Sequence, residues 1–207
     1  IDQCERCIRG HYVAGNDLVY LRYDRSGQLI NYSFIGATGN QAPRGIAALR
    51  SGAVFVSAET NVDVPELDGI TRQGTYVTST ATLTLVLNLD GAVQNFRITG
   101  ATGVNSPGRP VESMFGDIWL PGRLNPNAAL DSLSPYAHGG VNDLLIQRFN
   151  ASGDALSYVY YGGSASDTSV AGAPTFDGGL VWTGESASSS DFFLEAAGNR
   201  LGPNSGS

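Results

Sequence analysis

The segment Asp17-Leu18-Val19-Tyr20-Leu21-Arg22-Tyr23-Asp24-Arg25-Ser26-Gly27 reads as a β-strand running into a tight turn, and the chain contains it three times. The second copy is Ala81-Thr82-Leu83-Thr84-Leu85-Val86-Leu87-Asn88-Leu89-Asp90-Gly91. The third is Asp143-Leu144-Leu145-Ile146-Gln147-Arg148-Phe149-Asn150-Ala151-Ser152-Gly153. The turn glycines Gly27, Gly91 and Gly153 recur at a nearly constant spacing. Self-similarity of this kind marks a repeat architecture, in which each unit buries its apolar face only against a neighbour.

Each copy opens a longer plan. In the first, a strand over 17–23 is rich in aromatic, β-branched and large aliphatic residues, and Asp24 to Gly27 turns the chain. A second strand, Gln28 to Ile35, ends in Gly36-Ala37-Thr38-Gly39. A third is expected at Gly45 to Leu49. The turn Arg50-Ser51-Gly52 then leads to a fourth at Ala53 to Ala58. The later copies keep this order, with second strands at 92–99 and 154–161 and fourth strands at Asp117 to Leu120 and Gly179 to Gly184. The expectation is an all-β chain of three repeats of four antiparallel strands. Residues 1–9 form an N-terminal segment, 10–198 a single repeat domain (repeats 10–73, 74–135 and 136–198), and 199–207 a tail. Phe55, Trp119 and Trp182 fall at nearly corresponding places and are expected to fill the same core position.

Composition narrows the function classes. The net charge of −7 over 207 residues argues against nucleic acid or an anionic membrane surface as partner. No apolar run approaches the roughly 20 residues of a membrane span, so no membrane insertion is expected.

The order of signals resembles the bacterial repeats called seven-bladed β-propeller (SBBP) repeats. An Asp-led strand is followed by a D-x-S-G turn, a strand ending in G-G-S, then G-x-V-x-V-x-G. The third copy carries the resemblance best: Asn142-Asp143-Leu144, Ala151-Ser152-Gly153, Tyr161-Gly162-Gly163-Ser164 and Leu180-Val181-Trp182-Thr183-Gly184. The second departs most, with Ala81 in place of the Asp and Pro121 after the fourth strand. The resemblance implies β-propeller-type blades and a secreted or cell-surface setting, and no particular activity. Propellers have 4 to 8 blades, so three blades would be part of a longer propeller or would close by self-association with another copy. The alternative is a three-sheet, prism-like pseudo-threefold fold.

Cys4 and Cys7 form a C-x-x-C pair in the N-terminal segment. With His11 they offer three ligands at zinc spacing, but a fourth would have to come from as far away as His138. The exported setting that the resemblance implies favours a disulfide between Cys4 and Cys7, with no metal.

The tight turns are expected on one face and the long second-to-third and inter-repeat loops on the other. Long loops on a rigid scaffold are where binding residues concentrate. Candidates for binding are Arg44, Asp63, Asp68, Arg109, Arg123, Tyr136 and His138. No catalytic motif is present: there is no G-x-S-x-G, H-E-x-x-H or P-loop. Calcium is the one cofactor the Asp24 to Gly27 and Asn88 to Gly91 turns suggest, but they lack the run of oxygen ligands of an EF-hand. The sequence therefore points to a non-catalytic binding or adhesion module for a glycan or protein ligand. The competing readings are a glycoside hydrolase or lyase using Asp63 with Glu66 or Asp68, and a structural assembly subunit.

Overall fold

The computed structural model describes residues 7–9, 15–77, 80–100, 105–125 and 141–188. They form strands and turns with no helix. The N-terminal segment contributes β1 (Cys7–Arg9), and the first repeat β2 (Gly15–Asn16), β3 (Leu18–Tyr23), β4 (Leu29–Ile35), β5 (Gly39–Ala48) and β6 (Val54–Thr60). A small hairpin, β7 (Glu66–Leu67) and β8 (Ile70–Thr71), precedes β9 (Gln73–Thr75). The second repeat supplies β10 (Ala81–Leu87), β11 (Val93–Thr99), β12 (Ser106–Pro107), β13 (Val111–Glu112) and β14 (Ile118–Leu124). The third supplies β15 (Asp143–Phe149), β16 (Ala155–Tyr161), β17 (Asp167–Pro174) and β18 (Leu180–Ser186).

The tight turns are one device used six times. In the first of them the Asp24 N–H donates to the Gln28 carbonyl and the Gly27 N–H to the Asp24 carbonyl. The same two bonds recur at Leu49 to Ala53, Asn88 to Ala92, Ser113 to Asp117, Asn150 to Asp154 and Thr175 to Gly179. The fourth residue is always glycine, with φ between 79° and 87° (Gly27, Gly52, Gly91, Gly116, Gly153, Gly178). That backbone region is costly for any residue with a Cβ. Asp24, Asn88 and Asn150 each use Oδ1 to accept two backbone N–H groups across their turn. The two turn glycines of a repeat keep one separation in all three copies: Gly27 with Gly52, Gly91 with Gly116, and Gly153 with Gly178.

The sheets are out of phase with the repeats by half a unit. The four strands of one repeat do not all share one sheet. Instead, the last two of one repeat join the first two of the next, in the antiparallel order β5-β6-β10-β11. The next sheet is built the same way, β14-β15-β16 with β12 and β13 both paired to β14. Half-sheets are left at the two ends: β3-β4 first and β17-β18 last. In the first two units a short parallel strand lies outside the second strand. Arg9 stands opposite Ser33 in one, and Gln73 opposite Arg97 in the other, so both members shift by the same repeat period. The expected third strand also lengthens in the first repeat: β5 starts at Gly39 and bulges between Pro43 and Gly45.

Packing follows the alternation of side chains along each strand. One face of the β5-β6-β10-β11 sheet (Val56, Leu83, Leu85, Leu87, Phe96) covers Leu18, Tyr20 and Ile35 of the first half-sheet. Its other face, with Phe55 and Val86, meets Ile118, Leu120 and Phe149 of the following sheet. Phe55 and Phe149 lie 5.3 Å apart between ring centres. Burying one such ring stabilises the fold by about 1.5–3 kcal/mol. A third cluster forms around Leu124, Leu145, Tyr158 and Tyr160.

The aromatic expectation is corrected in part. Counted from the turn glycines, Phe55 and Trp119 align with Val181, not with Trp182, which aligns with Val56 and Leu120. Phe55 is wholly buried, whereas Trp119 and Trp182 are half-buried. The Arg148 guanidinium covers the Trp119 ring at 5.4 Å, held by Asp117 at 2.5 and 2.9 Å.

Candidate interaction surfaces

The strand registers fix where loops and turns sit. Leu87 opposes both Val54 and Val93, so the Leu49 to Ala53 and Asn88 to Ala92 turns lie at one end of their sheet. Ile118 opposes Phe149, which places the Ser113 to Asp117 and Asn150 to Asp154 turns together in the next. The long connections leave from the opposite ends.

Neighbouring sheets clasp each other's turns. The Leu89 carbonyl accepts from Tyr20 Oη, Arg22 Nη1 and Asn31 Nδ2 at 3.2–3.4 Å. One joint later, Asn95 Nδ2 donates to the Ser152 carbonyl at 2.7 Å. Asp154 accepts from Gln73 and Asn150, which hold its carboxyl below the usual aspartate range. Burial raises the Tyr20 hydroxyl pKa, partly opposed by the Arg22 charge. At the other hairpin tips, Arg50 donates its N–H to Glu112 and its guanidinium to the Met114 carbonyl.

The predicted binding residues do not converge. Arg44 pairs with Glu59 at 2.6 Å, and Asp63 pairs with Arg72. Both are ion pairs with an exposed member, the kind worth little in stability. Asp68, at φ 52°, forms with Gly69 the turn of the β7-β8 hairpin. That Asp-Gly turn was legible as a hairpin signal inside a stretch read as loop. Arg109 is exposed, with its main chain packed against Gly45 beside Arg44. Arg123 is half-buried on β14 opposite Leu144. Tyr136, His138, Cys4 and His11 lie outside the described residues, and with them the disulfide. Cys7 opens β1 opposite Tyr32. Among the described residues no group of three or more His, Cys, Asp or Glu is placed to hold a metal.

One buried carboxylate pair is present. Asp143 and Asp167 are each 1% exposed, and both flank Gly162, leaving no room for a Cβ there. Asp167 Oδ2 accepts from the Gly163 N–H at 2.8 Å and from Ser188 Oγ at 2.9 Å, bracing the loop. The matching sites are Asp17 with Gln41 about Gly36, and Ala81 with Asn105 by Gly100. The recurrence makes this position a loop anchor of the repeat.

The surfaces at the unfilled edges are apolar and terminal. Val19, Leu21 and Tyr23 on β3 are 53%, 49% and 55% exposed, and Val181 on β18 is 55% exposed. Two grooves accompany them. One, about 470 Å³, lies between Leu144, Ile146 and Tyr161 on one side and Leu180 and Trp182 on the other. The second, about 430 Å³, is lined by Leu18, Tyr20, Ile46, Val56 and Leu87. Among the described residues β3 pairs only with β4, and β18 only with β17, so both leave a row of backbone N–H and C=O groups open along one edge. An alternating strand reads as core in the sequence.

No family model matches the chain, and no curated protein matches it.

Proposed function

We propose that this chain is a non-catalytic binding module of the cell surface or secreted space, built on propeller-type blades, and that it takes a protein partner through its open strand edges. The observation that carries the reading is the pairing of an unfilled edge with exposed apolar side chains and a groove, at β3 with Val19, Leu21 and Tyr23 and at β18 with Val181. An extended strand added there gains main-chain hydrogen bonds from the edge and side-chain pockets from the groove, the mode of β-augmentation. The exported setting rests on the SBBP-like order of signals.

A glycan is the second reading, favoured by one feature. The larger groove sets Trp182 and Tyr161 beside Thr183 and Glu185, an aromatic platform with polar edges suited to a sugar ring. Titration with strand peptides and with an oligosaccharide array distinguishes the two. Binding of extended peptides that Leu21→Arg abolishes supports the protein-strand reading. Binding of a glycan that Trp182→Ala abolishes, with no peptide binding, replaces it.

A further inference from the structure

Resting on the strand-binding reading, we infer that the partner is a second copy of this chain: β18 of one copy pairs with β3 of the other, and two copies close head to tail at two such joints. The template is inside the molecule. Twice, a fourth strand of one repeat pairs antiparallel with the first strand of the next: β6 with β10, and β14 with β15. Both joints have the same register when counted from the turn glycines. The residue two after Gly52 or Gly116 opposes the residue four before Gly91 or Gly153, as Val54 opposes Leu87 and Ile118 opposes Phe149. Continued to the two edges left unpaired among the described residues, that rule sets Leu180 opposite Tyr23, Trp182 opposite Leu21, Gly184 opposite Val19 and Ser186 opposite Asp17. The product is a complete sheet, β17-β18-β3-β4, with the strand order of the two internal ones.

The side chains fit the same assignment. The internal counterparts of Val19, Leu21 and Tyr23 are Leu83, Leu85 and Leu87, which pack toward the preceding sheet beside Val54 and Val56. In the joint, Val19, Leu21 and Tyr23 therefore enter the groove beside Leu180 and Trp182, over Leu144 and Ile146. The counterpart of Val181 is Phe55, which packs toward the following sheet with Val86. Val181 therefore covers the second groove, over Leu18 and Tyr20. Each groove is the place left by a strand that the other copy carries. Phe176, wholly exposed at the tip of the β17-β18 turn, corresponds to Met114 and Arg50, whose main chain and side chain engage the neighbouring tip.

Closure follows from the count of sheets. Each copy holds two complete sheets, one built on β5-β6-β10-β11 and one on β14-β15-β16 with β12 and β13, and two halves. Two copies make four complete sheets and two at the joints, six in all, within the 4 to 8 of closed blade rings. One chain closing on itself would have three. A head-to-tail contact that fails to close gives open fibres, so closure also removes the edges.

The test uses the full chain. Light scattering should give twice the 21.7 kDa chain mass, unchanged as the protein concentration is raised. In a Cys4→Ser, Cys7→Ser background with the parent circular dichroism, Gly184→Cys chains mixed with Val19→Cys chains should cross-link in a one-to-one product on oxidation. Gly184→Cys mixed with Tyr23→Cys, four residues off register, should not. Leu21→Arg and Val181→Asp change residues exposed in the single chain, so they should retain the parent spectrum and each shift the mass to one copy. A single-copy mass for the parent, a mass that grows with concentration, or preferential cross-linking off register overturns the closed pair. The underlying reading is scored separately with a fluorescent peptide of residues 179–187. A single-copy parent that binds this peptide, and loses it in Leu21→Arg, rejects self-association and keeps strand binding. A single-copy parent that ignores the peptide rejects both.

Discussion

The first strands of the first and second repeats have nearly the same pattern and opposite fates. Val19, Leu21 and Tyr23 on β3 are about half exposed, while Leu83, Leu85 and Leu87, their counterparts one repeat on, are at most 1% exposed. The fourth strands differ in the same way: Phe55 is fully buried on β6, and Val181 in the corresponding place on β18 is not. The strands themselves do not account for the contrast, because both are predominantly apolar. The neighbour does. β10 lies between β6 and β11, whereas β3 has, among the described residues, β4 alone. Burial here is a property of the joint between repeats.

The largest expected effect comes from the aromatic at the internal joint. Phe55→Ala should destabilise the chain by about 3–5 kcal/mol, and Val181→Ala should change single-chain stability by no more than about 0.5 kcal/mol, as for an exposed site. Urea unfolding followed by tryptophan fluorescence compares the two. Equal losses would mean that the end half-sheet is already covered. Next, Leu85→Ala should cost about 2–5 kcal/mol, and Leu21→Ala again about 0.5 kcal/mol or less in the single chain.

A turn pair probes the clasp between sheets. Gly27 and Gly91 have nearly equal φ, 82° and 79°, so alanine meets the same backbone strain of about 1–2 kcal/mol at each. A Cβ at Gly27 meets open space, while one at Gly91 would lie 2.7 Å from Ser33 Oγ and from Tyr20 Cδ1. Gly91→Ala should therefore lower the melting temperature more than Gly27→Ala, and the excess measures how firmly the first half-sheet holds the turn.

The smallest effect is a pH dependence. Hydrogen bonds from Gln73 and Asn150 lower the Asp154 pKa, and the Ser26 hydroxyl lowers that of Asp24. A carboxyl depressed in the folded state contributes stability that is present above its unfolded value, near 3.9, and is lost as pH falls through the folded value. Asp154→Asn should flatten that acid limb, seen as melting temperature against pH from 5 downward, more than Asp24→Asn does. Asp154 ties β9 and the third repeat's turn together, whereas Asp24 braces only its own turn.

The all-β class and the turns were legible because a turn at φ near +80° demands glycine, and such glycines recur at fixed spacing. The half-repeat phase was not legible. A period states that strands recur, and any cut of the period into fours gives the same sequence pattern. The choice between pairing β4 with β5 and pairing β6 with β10 is made by loop geometry. Leu49 and Asn88 head identical turns at the same end of one sheet. The offset of Trp182 by one place was hidden for a related reason: a shift of one residue along a strand leaves the spacing almost unchanged and moves the side chain to the opposite face.

The half-repeat offset has a mechanical consequence. No repeat can detach as a unit, because removing residues 74–125 would strip β10 and β11 from one sheet and β12, β13 and β14 from the next at once. The sheets overlap along the chain like courses of brick, each laid across the seam of the one below. Tension applied at the two ends of the described chain would meet β1 and β18 first, since each pairs, among the described residues, with a single neighbour, and would leave the interleaved middle as the last part to yield.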